Sequence, residues 1–332
     1  MAGEIRVTKE LYLSPQDLWG LILSLGGVKF WVVSMAPLYI GWVLGQPSSA
    51  RHLFMDNLGV VLALVVVGPL LGTFSLLLNT YYDMRTTDRV NPRKRYLKIV
   101  EDLIQPETLF LGAVGFAAVG VLLSFYIGQF LIPNTGGLGG VTFVLLMLVL
   151  VGLSVAYSHP AIRWKGVAGM DLVTNIVGFG LVLPAAGWSL LQPISNAPWW
   201  YFASIALFLG AVYAPTTASD YESDRTYGIR TMAVRLGVRA TLRLGLALLI
   251  LAAAALAAVW AIRLFPFSEP PAYDAMARLW PFVALQIAFY VFFLRRPTVG
   301  NIWALLLLLS IAQGLGVILF LYGFTGGNTW SR

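Results

Sequence analysis

The chain contains no cysteine and only two histidines. Disulfide bonds and thiolate metal sites are therefore excluded. Charge is also scarce: Asp, Glu, Lys and Arg make up 11% of the 332 residues, against 58% hydrophobic residues and a mean hydropathy of +0.79. A water-soluble surface cannot be built from such a pool. There is no low-complexity tract, soluble domain or long linker, and the connections around Pro133 to Gly140 and Pro193 to Pro198 read as short turns. The first seventeen or so residues carry Glu4, Arg6, Lys9, Glu10 and Asp17. They lack the basic region and short apolar core of a cleaved signal peptide, so the first apolar segment is expected to stay in the mature protein.

Apolar runs of the roughly 20 residues needed to cross a hydrocarbon core recur along the whole chain. They are read at 19–45, 57–80, 107–131, 138–157, 168–192, 199–218, 239–264, 274–294 and 299–324. The expected fold is all-α: a polytopic membrane protein with nine transmembrane helices around a central cavity, in one transmembrane domain whose residues 1–18 form an N-terminal cytoplasmic segment.

The formal charge of +7 invites a nucleic-acid reading, but the basic residues sit in alternate loops. Arg85, Arg89, Arg93, Lys94, Arg95 and Lys98 follow span two, and Arg163 and Lys165 follow span four. Arg225, Arg230, Arg235, Arg239 and Arg243 follow span six, and Arg295 and Arg296 follow span eight. The opposite loops hold only Arg51, Arg263 and Arg278, with Arg332 at the tail. By the positive-inside rule the N-terminus is cytoplasmic and the C-terminus outside, in a prokaryotic inner (cell) membrane, and the charge serves topology and lipid headgroups rather than nucleic acid.

Five of the fifteen acidic residues fall in two clusters on the cytoplasmic side. The first runs from Asn79 to Asp88 at the end of span two, the second from Asp220 to Asp224 at the end of span six, four helices later. A four-helix unit used twice, plus a ninth helix, would bring the clusters face to face across the cavity. Asn79 and Asp83 are four residues apart and share a helix face, as do Asp220 and Asp224, while Asp88 is expected in the loop beyond. Opposed pairs of oxygen ligands suit Mg²⁺, which binds by one or two carboxylates, keeps waters and takes other ligands from a substrate's phosphates. The implied substrate is a diphosphate, with Arg85, Arg89, Arg93, Lys94, Arg225 and Arg230 either as its electrostatic partners or as topology markers. Solvated helix ends explain one such cluster, but not two on the same side.

These residues resemble a known family. Asn79-x-x-x-Asp83 with Asp88, and Asp220-Tyr-Glu-Ser-Asp224 running on to Val234-Arg-Leu-Gly237, are similar to the two aspartate-rich motifs of the UbiA superfamily of intramembrane prenyltransferases. The nine-helix count is similar to that family's fold, and Tyr157-Ser-His-Pro-Ala-Ile-Arg-Trp-Lys165 resembles its tyrosine-to-lysine loop. Thr80 stands where many members have a second acid, and Asp88 lies one residue further from Asp83 than the common spacing.

The resemblance implies that Mg²⁺ bridges a polyprenyl diphosphate to Asn79, Asp83, Asp88, Asp220 and Asp224, and that the prenyl group passes to a lipophilic acceptor. Lys29, inside the first span, is either a snorkelling lysine or a reach to the diphosphate. Tyr157 and Lys165 have the same pair of readings. His159 reads as a loop residue, since the other histidine, His52, falls on the opposite side. Asp171 and Asn175 either line the acceptor side of the cavity or cap span five.

Ionisation to an allylic cation needs electrostatics and positioning, not a covalent nucleophile. Aromatic faces such as Tyr82 can hold the cation away from water, and Glu222 or Asp171 is a candidate base. A transporter would place its binding groups near the bilayer midplane rather than at helix ends, and a passive scaffold gives no reason for two acidic clusters. For the acceptor, Asn79-Thr-Tyr-Tyr-Asp83 is similar to naphthoquinone-prenylating members, whereas Tyr157-Ser-His-Pro and Gly228-Ile-Arg-Thr look like the homogentisate and chlorophyll-type branches. A ring-bearing acceptor of a lipoquinone or (bacterio)chlorophyll pathway is expected, with a carotenoid or glycerophosphate lipid as the alternative.

Overall fold

The computed structural model describes residues 27–47, 51–53, 55, 57–91, 105–132, 139–266, 268 and 270–325. Within them the chain is helical: α1 (Val28–Gly45), α2 (Leu58–Asp83), α3 (Thr87–Val90), α4 (Pro106–Leu131), α5 (Gly139–Ser158), α6 (Met170–Ser189), α7 (Trp199–Ser219), α8 (Tyr221–Thr226), α9 (Met232–Leu236), α10 (Val238–Ala261), α11 (Pro270–Leu294) and α12 (Val299–Phe324). Among the described residues eight helices are long and apolar enough to cross a membrane, and α1 supplies a shorter apolar helix. The expected first span is thus seen over its second half, since residues 19–26 lie outside the described part.

Hydrocarbon offers no partner for a free N–H or C=O, which is why the spans are continuous helices. Proline removes a donor and crowds the preceding turn, and at two of the prolines the helix widens instead of breaking, whereas Pro37, Pro215 and Pro281 lie in turns that stay α-helical. In α2 the turn Val66–Leu70, which contains Pro69, is π-helical, and in α6 the π-turn Gly178–Val182 runs up to Pro184.

Burial separates an inner set of helices from an outer one. The apolar windows of α2, α6 and α7 are 61%, 61% and 56% buried, whereas those of α4, α5, α10, α11 and α12 lie between 17% and 33%. The outer helices turn Leu111, Leu122, Phe130, Phe292 and Ile318 outward, as lipid-facing surfaces do. Helix α1 packs on α6 with almost no gap. A Cβ on Gly41 would lie 1.9 Å from the Pro184 carbonyl oxygen, and one on Gly187 would lie 1.8 Å from that of Leu38. Only glycine permits this approach, the small-residue packing that brings membrane helices together without a hydrophobic driving force between them.

The two inner helices that carry the acidic motifs end in the same way. After Asp83 the chain turns through Met84 to Thr86, with the Thr86 N–H donating to the Asp83 carbonyl at 2.8 Å, and enters the one-turn helix α3. After Ser219 it passes Asp220 and enters the short helix α8, with the Asp224 N–H donating to the Asp220 carbonyl at 2.9 Å. Helices α3 and α8 pack against each other at one end of the bundle.

Candidate functional site

A cavity of about 120 Å³ lies beside this contact. Its lining includes Asn79 and Asp83 from α2, Thr87, Asp88 and Asn91 from α3 and its end, and Asp220, Ser223 and Asp224 from the second motif. Both acidic clusters therefore meet in one space. Asp88 is not in a loop: it lies on α3, 3% exposed, because the turn after Asp83 folds the chain back over the helix end. The clusters are joined directly by Asn91, whose side-chain amide donates to Asp220 Oδ1 at 2.9 Å.

The loop between α5 and α6 supplies the cations. Lys165, 6% exposed on a one-turn 3₁₀ helix, donates from Nζ to Asn79 Oδ1 at 2.9 Å and to Asp83 Oδ2. The Arg163 guanidinium lies 3.7 Å from the other Asp83 oxygen, held there by a left-handed backbone (φ 46) that a non-glycine residue adopts at a cost. Each oxygen of Asp83 thus faces a cation from the same loop. Burial pulls the Lys165 ammonium below its ordinary range, and Asp83 works against that fall. Across the cavity, burial first and the neighbouring Asp220 second push the Asp224 carboxyl up to about 7.

That loop is fastened to the one carrying Ile229 and Thr231, which also line the cavity. Val167 and Arg230 form an isolated parallel bridge. Asp171, fully buried, accepts from the Gly169 N–H at 2.9 Å through Oδ1. Through Oδ2 it accepts from the Met232 N–H at 3.1 Å and from the Thr217 hydroxyl at 3.4 Å. Asp171 is outside the cavity lining and ties three elements together behind it, while Asn175 donates to the Asp171 carbonyl at 2.7 Å. For both, the structure shows the local bonding role rather than a place on an acceptor wall.

Of the two tyrosines expected at the site, Tyr157 lines the cavity and Tyr82 does not. Tyr82 is outside the lining and sits edge-on to Tyr81 and to His159. Tyr157 and Tyr213 line the cavity instead, their hydroxyls 3.1 Å apart. Tyr213 escaped the sequence reading although it lies seven residues, two helical turns, before Asp220 and so on its face. Thr216 and Thr217, four and three residues before Asp220, share that signal and line the cavity too. Arg85, Arg225 and Arg230 are exposed and outside the lining, with Arg225 resting on Tyr221 at 5.9 Å. Glu222 is exposed. Lys29 is in α1 but its side chain, like that of Arg89 and all of Arg93 and Lys94, lies outside the described part.

The groups facing the cavity from both motifs are oxygen-bearing side chains, Asn79, Asp83, Asp88, Asp220, Ser223 and Asp224, a set suited to a hard cation. Among the described residues no three Asp, Glu or His side chains converge into a cage that could hold an ion alone. A cation here would need waters and a substrate's oxygens to complete its shell, as Mg²⁺ does at phosphate sites. The donor set fits Mg²⁺ on those terms.

Fold and cavity together define a membrane-embedded helical bundle with an acid-lined, cation-bordered chamber at one end. The sequence model of the UbiA prenyltransferase family matches residues 34–312, and the chain belongs to that family. A lycopene elongase/hydratase of Haloferax volcanii is 38% identical over 108 residues, 32% of this chain and 35% of that protein. The chloroplastic homogentisate solanesyltransferase of Arabidopsis thaliana is 29% identical over 226 residues, 63% of this chain and 55% of that protein. The matches thus span about a third and about half of these two relatives. In three dimensions, the structure of a UbiA homolog from Archaeoglobus fulgidus bound to DMAPP and Mg²⁺ superposes with a TM-score of 0.63 at 19% identity, covering 90% of this chain and 98% of that one.

Proposed function

We propose that the protein transfers a polyprenyl group from a polyprenyl diphosphate to a lipophilic, ring-bearing acceptor of a lipoquinone or (bacterio)chlorophyll pathway, with Mg²⁺ as cofactor. The observation that carries this reading is the meeting of both acidic motifs with Lys165 in one small chamber. Asn79, Asp83, Asp88, Asp220 and Asp224 would hold the Mg²⁺, whose charge offsets that of the departing diphosphate. Lys165 and Arg163 supply further positive charge to the diphosphate. As the C–O bond of the donor breaks, its electron pair leaves with diphosphate and an allylic cation remains. The faces of Tyr157 and Tyr213 border that position, where a ring can stabilise positive charge without attacking it. The acceptor's ring carbon then attacks, and its proton passes to the departing diphosphate. Exposed Glu222 and walled-off Asp171 are both poorly placed to take it.

The basic loops support a cytoplasmic chamber and N-terminus with the C-terminus outside. A second acceptor reading is favoured by one observation, the lycopene elongase/hydratase match. Purified protein with geranylgeranyl diphosphate, Mg²⁺ and separate acceptors (homogentisate, 4-hydroxybenzoate, dihydroxynaphthoate, chlorophyllide, lycopene) separates the two. Turnover with a ring compound is expected, and turnover with lycopene alone would replace the ring acceptor by a carotenoid.

A further inference from the structure

We propose that Lys165 is a stand-in cation: in the ligand-free protein its ammonium occupies the metal-binding side of Asn79 and Asp83, and it hands those oxygens over only when metal and diphosphate arrive together. The inference deepens the prenyl-transfer reading and rests on it. Four carboxylates, Asp83, Asp88, Asp220 and Asp224, border a cavity of about 120 Å³. Such a cluster is costly without positive charge in its midst. The Lys165 ammonium provides it, 6% exposed and bonded to Asn79 Oδ1 at 2.9 Å and to Asp83 Oδ2. These are the two groups of the first motif that share a face toward the cavity, one helical turn apart.

An ion bound at the Mg²⁺–oxygen distance of about 2.1 Å would sit against the ammonium, so the two cannot share the Asp83 oxygen. Metal alone would have to push the ammonium toward Asp88 or Asp224, the carboxylates the metal itself would draw on. With diphosphate present, the evicted ammonium finds an anionic partner in the same chamber, and Arg163, 3.7 Å from Asp83 Oδ1, is placed to follow it. The exchange breaks no covalent bond. It makes metal binding depend on substrate, so the protein does not hold Mg²⁺ in a site that has nothing to ionise.

Titration calorimetry of Mg²⁺ into purified protein, with and without inorganic diphosphate, tests this on wild type, Lys165→Gln, Lys165→Met and Lys165→Arg. The two neutral replacements guard against one of them failing to fold. With the neutral variants, Mg²⁺ alone should bind about tenfold tighter than to wild type, and Mg²⁺ with diphosphate about tenfold weaker, a coupling of ordinary size for linked sites. Lys165→Arg should stay near wild type in both. A mere change of local charge would appear equally when the neighbouring Arg163 is neutralised, so an Arg163→Gln variant that tightens Mg²⁺ alone as much as the Lys165 variants do, or neutral Lys165 variants that bind Mg²⁺ alone no better than wild type, overturns the inference while the metal–diphosphate site stands. If wild type binds Mg²⁺ neither alone nor with diphosphate, the site reading itself falls and this inference with it.

Discussion

Replacing Asp171 distinguishes a structural tie from a catalytic base. In Asp171→Asn the single amide oxygen can keep the Met232 N–H and the Thr217 hydroxyl, now accepted by Oδ2, and the amide NH₂ then faces the Gly169 N–H. The Gly169 N–H and the amide's own NH₂ are then both left without an acceptor, at a cost of about 2–6 kcal/mol. Asp171→Ala strands the backbone N–H of both Gly169 and Met232, about 2–6 kcal/mol, whereas the Thr217 hydroxyl can turn elsewhere. The two variants should therefore lose stability to a similar extent. Because Met232 follows Ile229 and Thr231, which line the cavity, the loss should appear in the KM for the prenyl diphosphate and in the melting temperature before it appears in kcat. Steady-state kinetics with varied donor, together with thermal melts in the same detergent, read both. A general base gives the opposite pattern: kcat would fall by about 10²–10⁴ at unchanged KM, and the melts of both variants would match wild type. That pattern would refute the tie.

Asp83→Ala and Asp220→Ala should each lower prenyl transfer by orders of magnitude, and EDTA should abolish it; normal turnover in any of the three removes the metal role. Asp83→Ala should also melt lower than Asp220→Ala, because it leaves the buried Lys165 ammonium without its carboxylate, a loss of about 3–5 kcal/mol for a broken buried pair. Asn91→Ala cuts the bond between the clusters and should raise the donor KM severalfold with kcat little changed, so an unaltered KM would mean that the Asn91–Asp220 contact positions nothing. Single cysteines at exposed Ile162 and Ile262 in this cysteine-free chain should react with an impermeant maleimide from opposite sides of the membrane, and reaction from one side would reject the assigned topology.

The helices were legible because length and hydropathy are local properties. The span read at 299–324 is α12, Val299–Phe324, and the one read at 199–218 ends one residue short of Ser219. The acidic motifs were legible too, since a spacing of four on a helix fixes a shared face. What the sequence did not show is contact across the bundle. Asn91 and Asp220 are 129 residues apart, and Lys165 and Asp83 are 82 apart. Nothing in either segment names the other, so Lys165 could be read as a diphosphate contact but not as a partner of the motif itself. Asp171 offered two local meanings, and the distant donors at Thr217 and Met232 decide its surroundings. The tyrosines beside Asp83 drew attention for being adjacent in sequence, yet adjacent residues on a helix point about 100° apart, and Tyr82 faces His159 rather than the chamber.

The glycine contacts between α1 and α6 also mark where the molecule can and cannot be redesigned. A side chain at position 41 or 187 would meet backbone carbonyls, not a yielding rotamer, so neither position can be enlarged without moving a whole helix. Attempts to reshape the interior for a bulkier acceptor will find this wall immovable. The outer helices are the adjustable side: a Cβ added at Gly300 or Gly314 of α12 meets nothing within 4 Å, so a library of variants should keep its folded members there and lose them along the α1–α6 line.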